Sequence, residues 1–171
     1  MFGWLARLHV LGDGTAVGRF PGFAGYMMLR AQRSACRPIP DLPQDALAES
    51  TTHLDPRRVH QDSDADLFIA ATMPGVQARL FHGQGDEADE CTLWLLEPGE
   101  DGSWASVDYL PGAEEFLVQQ HGNRRLWDEA ASAYLRWLRR GRPERDRFGL
   151  TVTPDGQRMW LDSPDQVLTP G

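Results

Sequence analysis

The segment that decides the fold runs from Asn123 to Asp162 and reads NRRLWDEAASAYLRWLRRGRPERDRFGLTVTPDGQRMWLD. Its first half predicts an amphipathic helix over 123–140, because apolar residues recur at steps of three and four and therefore share one face. Asn123 is expected to cap the first turn, since its side-chain oxygen can accept from a free backbone amide. Gly141 and Pro143 are expected to end the helix. The helix thus presents an apolar face that another element must cover.

The second half of this segment predicts a β-hairpin. Apolar and polar residues alternate over 150–153 and again over 158–161, and the turn sequence PDG at 154–156 separates the two runs. A single helix and a two-stranded hairpin cannot bury their apolar faces alone. We therefore expect the N-terminal residues to supply a sheet, with the helix packed on one of its faces.

A family resemblance covers residues 124–165, which read RRLWDEAASAYLRWLRRGRPERDRFGLTVTPDGQRMWLDSPD. This stretch resembles the C-terminal segment that follows the catalytic domain in actinobacterial methyltransferases of the protein-L-isoaspartate methyltransferase-like group. The similarity extends over 2–33 and 55–75, and some members of that group act on ribosomally made peptides. The resemblance implies a non-catalytic accessory domain that recognises a peptide substrate or packs against a methyltransferase domain. Because the chain begins inside a predicted strand, we expect it to be a detached C-terminal portion.

The length and composition fit a single domain over 1–171. The chain has 41% apolar residues and six Trp, which is enough for a hydrophobic core. Within it, 34–56 is predicted to be a Pro-rich loop and 163–171 a loose tail. The two cysteines form no CxxC motif, which favours a reduced, cytoplasmic protein. Three of the Trp are assigned to the core, namely Trp94, Trp127 and Trp137.

Charge is distributed unevenly along the chain. The net charge of −8 argues against a nucleic-acid or anionic-membrane partner. Residues 123–147 nevertheless carry eight Arg against four acidic residues, a local excess of +4 that leaves −12 on the remainder. This run is typical of a solvated helix face, and its alternative interpretation is a docking surface for an acidic partner. No apolar stretch approaches the ~18 residues of a membrane-spanning helix, so no membrane partner is expected.

Most of the remaining chain predicts consecutive strands. Two N-terminal strands are expected over 4–10 and 15–20, followed by a third over 26–30. Further strands are predicted over 76–82, 92–96, 104–109 and 115–120. Consecutive strands pair most readily with their neighbours, so the predicted fold class is α+β with an antiparallel sheet.

One short helix is predicted near 63–72. Asp62 or Ser63 can cap it, and Pro74 with Gly75 can end it. The apolar run 67–73 is also compatible with a strand, because periodicity does not separate the two structures over so short a length.

No motif in the chain predicts catalysis or cofactor binding. The sequence GDGTAVG at 12–18 approximates a glycine-rich nucleotide loop, but such a loop opens a helix, and Pro21-Gly22 favours a hairpin instead. The consecutive strands lack the alternation of strands and helices that an S-adenosylmethionine fold requires. The carboxylates at 62–66 lack the Gly and Glu of a calcium loop and are expected to cap a helix. We therefore predict no catalytic, cofactor-binding or metal-binding residue.

One surface patch is predicted to bind a partner. If Met159 and Leu161 point inward, strand alternation directs Trp160 outward, near the basic residues of the helix end. We hypothesise that Trp160, Arg142 and Arg124 contribute to a surface for a peptide or a partner protein. The alternative for Trp160 is a position covered by the N-terminal strands.

Two other functions are compatible with the sequence. The first is a small hydrolase or transferase with a pocket between the sheet and the Pro-rich loop, which convergent carboxylates or histidines would favour. The second is a homodimeric structural protein, which a large apolar surface on an edge strand and a two-fold partner would favour.

Overall fold

The computed structural model describes most of the chain from residue 47 onward, together with two short N-terminal strands. The described residues are 9–10, 16–19, 47–83, 89–99, 102–154 and 156–169. Their strands form two antiparallel sheets, and three helices accompany them. The predicted α+β class is therefore confirmed, with two sheets in place of the single sheet expected.

Groups of strands and groups of helices follow one another along the described residues. The strands are β1 (His9–Val10), β2 (Ala16–Arg19), β3 (Ala48–Thr52), β4 (Gln77–His82), β5 (Cys91–Leu96), β6 (Trp104–Tyr109), β7 (Phe116–His121), β8 (Phe148–Thr153) and β9 (Gly156–Leu161). The helices are α1 (Pro56–Gln61), α2 (Ser63–Thr72) and α3 (Leu126–Arg139), and a short 3-10 turn covers Arg145–Arg147. None of the helices in this part of the chain is long and apolar enough to cross a membrane.

Five strands form the larger sheet, in the order β3-β7-β6-β5-β4. Strands β4 to β7 pair with their sequence neighbours, because short turns can join antiparallel strands. One face of this sheet contributes alternate side chains, such as Leu93, Val107 and Val118, to the hydrophobic core. Helices α1 and α3 pack on this inner face.

Helix α2 lies at the centre of the molecule. It packs on α1 and α3, and five consecutive residues, 65–69, are buried, so that it is enclosed on several sides. Asp62 caps it by accepting from two backbone amides of its first turn, at 3.1 and 3.2 Å. The run 67–73, for which helix and strand were both open, is therefore helical through Thr72.

Helix α3 begins at Leu126 rather than at residue 123. Its first turn is capped from the neighbouring strand, because the Trp127 amide donates to Gln120 Oε1 at 2.9 Å. The prediction that Asn123 caps the helix is therefore wrong, and Arg125 holds the N-cap position without a side-chain hydrogen bond. A polar side chain of β7 thus joins the sheet to the start of the helix.

The other end of α3 is closed by two backbone hydrogen bonds. Gly141 has a φ of 78°, and its amide donates to the Leu138 carbonyl at 3.0 Å. The Arg142 amide donates to the Trp137 carbonyl at 3.1 Å. This pair of bonds is the Schellman motif, which satisfies carbonyls that the helix itself leaves free.

The smaller sheet has the order β1-β2-β8-β9. The predicted hairpin therefore pairs with an N-terminal strand and does not join the five-stranded sheet. Phe148 and Leu161 from this hairpin belong to the same core as α2, and the rings of Phe68 and Phe148 meet edge to face with centroids 6.3 Å apart. An ion pair between Arg145 and Asp64, at 3.1 Å, links the hairpin segment to α2.

Two elements were not expected from the sequence. Strand β3 and the first residue of α1, Pro56, both lie within the predicted Pro-rich loop. Strand β3 does not alternate apolar and polar residues, so its sequence carries no strand signal. It is a strand because its backbone pairs with β7. Pro56 suits the first helical position, where its missing N–H is not needed. Residues 34–46 and the predicted strand 26–30 lie outside the described residues.

Trp160 is buried, with 3% of its surface exposed, so the prediction that it points to solvent is wrong. Its indole ring lies directly over Gly149, its partner across the β8–β9 ladder, where the missing Cβ leaves room for it. Its Nε1 donates to Thr151 Oγ1 at 3.2 Å. Strand alternation places Trp160 and Leu161 on opposite faces of β9, and both side chains are buried.

The segment after β9 is attached to the hairpin and is not a loose tail through residue 169. Val167 forms a β-bridge with Trp160, and the Leu168 amide donates to the Met159 carbonyl at 2.8 Å. Leu168 is buried in the core. Leu168 therefore attaches this segment to the hairpin.

Replacing Gly149 with Ala is expected to destabilise the protein by about 1–3 kcal/mol, because the added Cβ would overlap the Trp160 ring. Urea titration followed by circular dichroism measures the change in the free energy of unfolding. The same substitution in a Trp160→Leu background should cost less, since the smaller side chain leaves space for the Cβ. An equal cost in both backgrounds would contradict this contact.

Candidate functional site

The five-stranded sheet carries a second apolar surface on the side opposite α1 and α3, which we term the outer face. Along β5, alternation places Leu93 and Leu95 on the inner face and Trp94 and Leu96 on the outer face. Leu93 and Leu95 belong to the core, whereas Trp94 and Leu96 lie outside it. The outer face is therefore an apolar surface distinct from the core.

Strand register aligns the outer-face side chains in rows across the sheet. Residues that face each other on neighbouring antiparallel strands have side chains on the same side and within reach of one another. Two of these rows are Arg79–Trp94–Ser106–Gln119 and Gln77–Leu96–Trp104–His121. Trp94, Leu96 and Trp104 thus lie side by side on a face whose other residues in these rows are polar or imidazole side chains.

Three rings on this face form an aromatic ladder, which consists of Trp94, Trp104 and His121. The centroids of Trp94 and Trp104 are 5.5 Å apart with the planes tilted by 40°. Trp104 and His121 stack at 6.0 Å with their planes 15° apart. Trp104 is only 4% exposed, although it is not part of the core. The ladder is therefore a packed structure of its own, with each ring contact contributing about 0.5–1.5 kcal/mol.

Two buried polar atoms of the aromatic ladder lack a hydrogen-bond partner in the described part of the chain. They are Trp104 Nε1 and His121 Nδ1. The indole N–H of a Trp can only donate, and leaving such a group unsatisfied costs about 1–3 kcal/mol. The indole N–H of Trp104 is therefore an unsatisfied buried donor within the described residues.

Exposed apolar side chains flank the ladder. Phe81 on β4 and Leu117 on β7 are each 42% exposed, and strand alternation places both on the outer face. Between them, Thr92 Oγ1 donates to Asp108 Oδ1 at 2.8 Å, so these two polar groups already satisfy each other. The outer face therefore offers apolar contact area more than free hydrogen-bonding groups, as the centre of a protein interface does.

Arg124, one of the predicted site residues, lies in an ion-pair network beside the outer face. Its guanidinium donates to both oxygens of Glu129 and to Glu97 Oε1, the latter at 2.8 Å. Its backbone amide donates to Ser103 Oγ at 3.0 Å, next to Trp104. The hydrogen bonds with Glu129 and Glu97 raise the pKa of Arg124, and the bond from Arg124 lowers the pKa of Glu97. Arg124 thus connects the start of α3 to the sheet.

The three predicted site residues do not come together in one patch. Trp160 is buried against β8, whereas Arg142 is exposed. Arg124 precedes α3 and Arg142 follows it, so a helix of 14 residues separates the two arginines. At 1.5 Å per residue that distance is about 21 Å, too long for a single small surface. A binding role for each residue separately stays a prediction.

Several reactive side chains lie inside the core. His60 Nδ1 is 3.3 Å from Asp66 Oδ1, and this buried pair joins α1 to α2. Cys91 is a buried free thiol, and burial raises its pKa, which disfavours the nucleophilic thiolate. Among the described residues, no group of three or more His, Cys, Asp or Glu side chains could hold a metal ion.

The glycine-rich stretch 12–18 falls partly within the described residues. Ala16 to Arg19 form a strand, β2, which pairs antiparallel with β1. A phosphate-binding loop would instead open a helix at this position, with its first amides directed at the ligand.

Sequence reasoning missed the outer face, because Trp94 was assigned to the core. The signal was present in β5, which reads CTLWLL and is apolar at both sets of alternating positions. Such a strand is typically covered on both faces. The core on the inner face covers only one of these two sets of side chains. The set on the outer face therefore needs a different covering layer.

No protein-family model, curated protein or solved structure matches the chain. Function is therefore inferred from the outer face and from the charge distribution of the chain.

Replacing Arg124 with Gln is expected to lower the free energy of unfolding at neutral pH by about 1 kcal/mol, because Glu97 loses its cationic partner. The pKa of Glu97 is lowered in the folded protein, so this stabilisation is present above the ordinary Glu pKa and is lost as the pH falls through the folded value. The stabilities of wild type and variant should converge between about pH 5 and about pH 3. Urea titrations across this range measure the difference.

The matched control for this prediction is Arg125→Gln. Arg125 is exposed and makes no ion pair within the described residues, so its loss should leave the stability unchanged at every pH. If the difference in the free energy of unfolding between wild type and Arg124→Gln stays constant down to low pH, Glu97 is not the group responsible.

Proposed function

We propose that this chain is a non-catalytic accessory domain that docks against a partner protein domain through its outer face. The observation that carries the proposal is the aromatic ladder, which lies outside the core with exposed Phe81 and Leu117 beside it. An antiparallel sheet whose second face is solvated normally alternates apolar and polar residues. Strand β5 does not, which indicates that a second layer covers this face.

The composition of the outer face fits a protein partner. Aromatic residues are enriched at the centres of protein interfaces, where charged residues are depleted. Trp94 is partly exposed and has a buried neighbour, Trp104, whose indole N–H has no acceptor in the described residues. A docked layer would add apolar contacts to the partly exposed Trp94 ring and to the exposed side chains of Phe81 and Leu117.

The resemblance of 124–165 implies the identity of that partner, namely a methyltransferase domain. In this arrangement the partner supplies the chemistry, and the present chain contributes packing and recognition of a peptide substrate. The buried free thiol of Cys91 is compatible with the reducing cytoplasm in which we propose that the complex acts. The alternative enzyme function requires a pocket beside the Pro-rich loop, and residues 34–46 of that loop lie outside the described residues.

Replacing Phe81 and Leu117 together with Asp is expected to abolish docking, because two charges would be buried against the partner layer. The partner tested is the methyltransferase whose reading frame lies nearest upstream of this one in the same genome. Co-expression followed by size-exclusion chromatography measures whether the two proteins elute together.

The matched control for docking is Leu110→Asp. Leu110 is 48% exposed, but it follows the end of β6 and is not in a strand. This variant should still co-elute with the methyltransferase. A wild-type chain that elutes alone, or a complex that the double variant forms equally well, would overturn the proposal. A dimer of the wild-type chain that the double variant loses would instead support the homodimeric alternative.

Titration of S-adenosylmethionine into the isolated chain is expected to produce no binding heat, because Ala16–Arg19, at the end of the glycine-rich stretch, form a strand where a phosphate-binding loop would open a helix. Isothermal calorimetry provides this measurement. Saturable binding would contradict the non-catalytic assignment without affecting the docking proposal.

A further inference from the structure

Four arginines surround the C-terminal end of α3, and we term them the arginine cluster. They are Arg136, Arg139, Arg140 and Arg142. The first three lie at helical spacings of three and four, so their side chains are neighbours on the helix surface. The last follows the helix directly. The cluster therefore concentrates four positive charges within about two helical turns.

The arginine cluster differs from four other arginines of the described residues in having no carboxylate partner. Arg57, Arg124, Arg145 and Arg147 each form an ion pair with Asp or Glu. No such pair involves the four cluster residues within the described residues, and Arg136 Nε is buried without a hydrogen-bond acceptor. Glu144, the nearest acidic residue in sequence, makes no ion pair with them. The charges of Arg139 and Arg142, which are both exposed, are therefore available to a ligand.

The backbone holds this end of the helix in a fixed geometry. The Schellman bonds constrain Gly141 and Arg142, and Arg142 adopts the left-handed φ of 55°. Trp137 Nε1 donates to the Pro143 carbonyl at 3.1 Å, and both residues are buried. Arg140 lies over the Phe68 ring, 5.9 Å from its centroid. A ligand would therefore meet a surface whose backbone is already ordered.

An exposed apolar side chain lies beside the cluster. Leu135 is 49% exposed, the largest value among the exposed large hydrophobic residues of the described chain. It is one helical turn from Arg139, so the two share a face. A surface that combines Leu with several arginines fits a segment that carries both carboxylates and an apolar side chain.

Charge magnitudes favour a short acidic ligand. The helix dipole contributes the equivalent of about half a negative charge at this end, which does not cancel four arginines. The whole chain carries −8, so a long polyanion such as nucleic acid would meet repulsion beyond the cluster. A short carboxylate-bearing segment avoids that repulsion because its charges stay within the cluster.

We infer that the arginine cluster and Leu135 bind an acidic peptide segment with an apolar side chain. This surface is on the exposed side of α3, whereas the outer face is on the opposite side of the sheet on which α3 packs. The inference does not depend on docking through the outer face, and the two can be tested separately.

The test uses a fluorescein-labelled peptide of alternating Glu and Leu and measures its fluorescence anisotropy with the full chain at low salt. Replacing Arg139 and Arg142 with Glu should weaken binding about tenfold, equivalent to ~1.4 kcal/mol, because attraction becomes repulsion. Replacing Leu135 with Ser should weaken it about threefold. A neutral pair, Arg139→Gln with Arg142→Gln, provides a second variant should the charge reversal impair folding.

The matched control carries the same change in net charge at other exposed positions, Arg125→Glu with Arg158→Glu. It should bind the peptide as tightly as the wild type does. Absence of binding by the wild type, or equal weakening in the control, would overturn the inference. Tighter binding of a single-stranded oligonucleotide than of the peptide would also overturn it. The same holds if the wild-type chain self-associates, the variants do not, and this difference accounts for the change in anisotropy.

Discussion

The packing of α3 on the inner face of the five-stranded sheet is the contact on which the rest of the structure depends. Leu126, Ala130 and Ala133 are fully buried along one side of the helix, and the small alanines let it approach the strands closely. Each large apolar side chain buried there contributes about 1.5–3 kcal/mol. Gln120 adds a directional constraint, since its side chain caps the helix from β7. The same core extends through α2 to Phe148 of the smaller sheet.

This arrangement gives the larger sheet two unlike faces. The inner face is filled by helices, whereas the outer face packs its own rings against one another in the order Trp94, Trp104, His121. Burying aromatic rings outside the main core leaves a donor, Trp104 Nε1, without an acceptor in the described residues. The apolar side chains that remain exposed or partly exposed on this face include Trp94, Phe81 and Leu117. In the proposed docking, a partner layer covers these side chains.

The arginines of the chain likewise fall into two groups, one that forms ion pairs within the fold and one proposed to bind a ligand. Arg124 and Arg145 are bound to carboxylates and connect elements that are distant in sequence. The arginines at the end of α3 have no such partners in the described residues. An ion pair inside a protein and a free cation at its surface are the same residue type, so composition alone does not separate them. The contacts of each guanidinium decide which role it has.

The sequence by itself determined the elements whose signals are local. Periodicity predicted a helix in 123–140, alternation predicted most strands, and Asp62 was one of the two residues predicted to cap α2, because each signal depends on neighbouring residues only. Tertiary structure decided the rest. It separated the hairpin from the larger sheet, replaced Asn123 with Gln120 as the cap, buried Trp160 over Gly149 and placed Trp94 outside the core. These outcomes depend on which distant strand supplies the covering surface, and alternation along one strand defines two faces without specifying what packs on either.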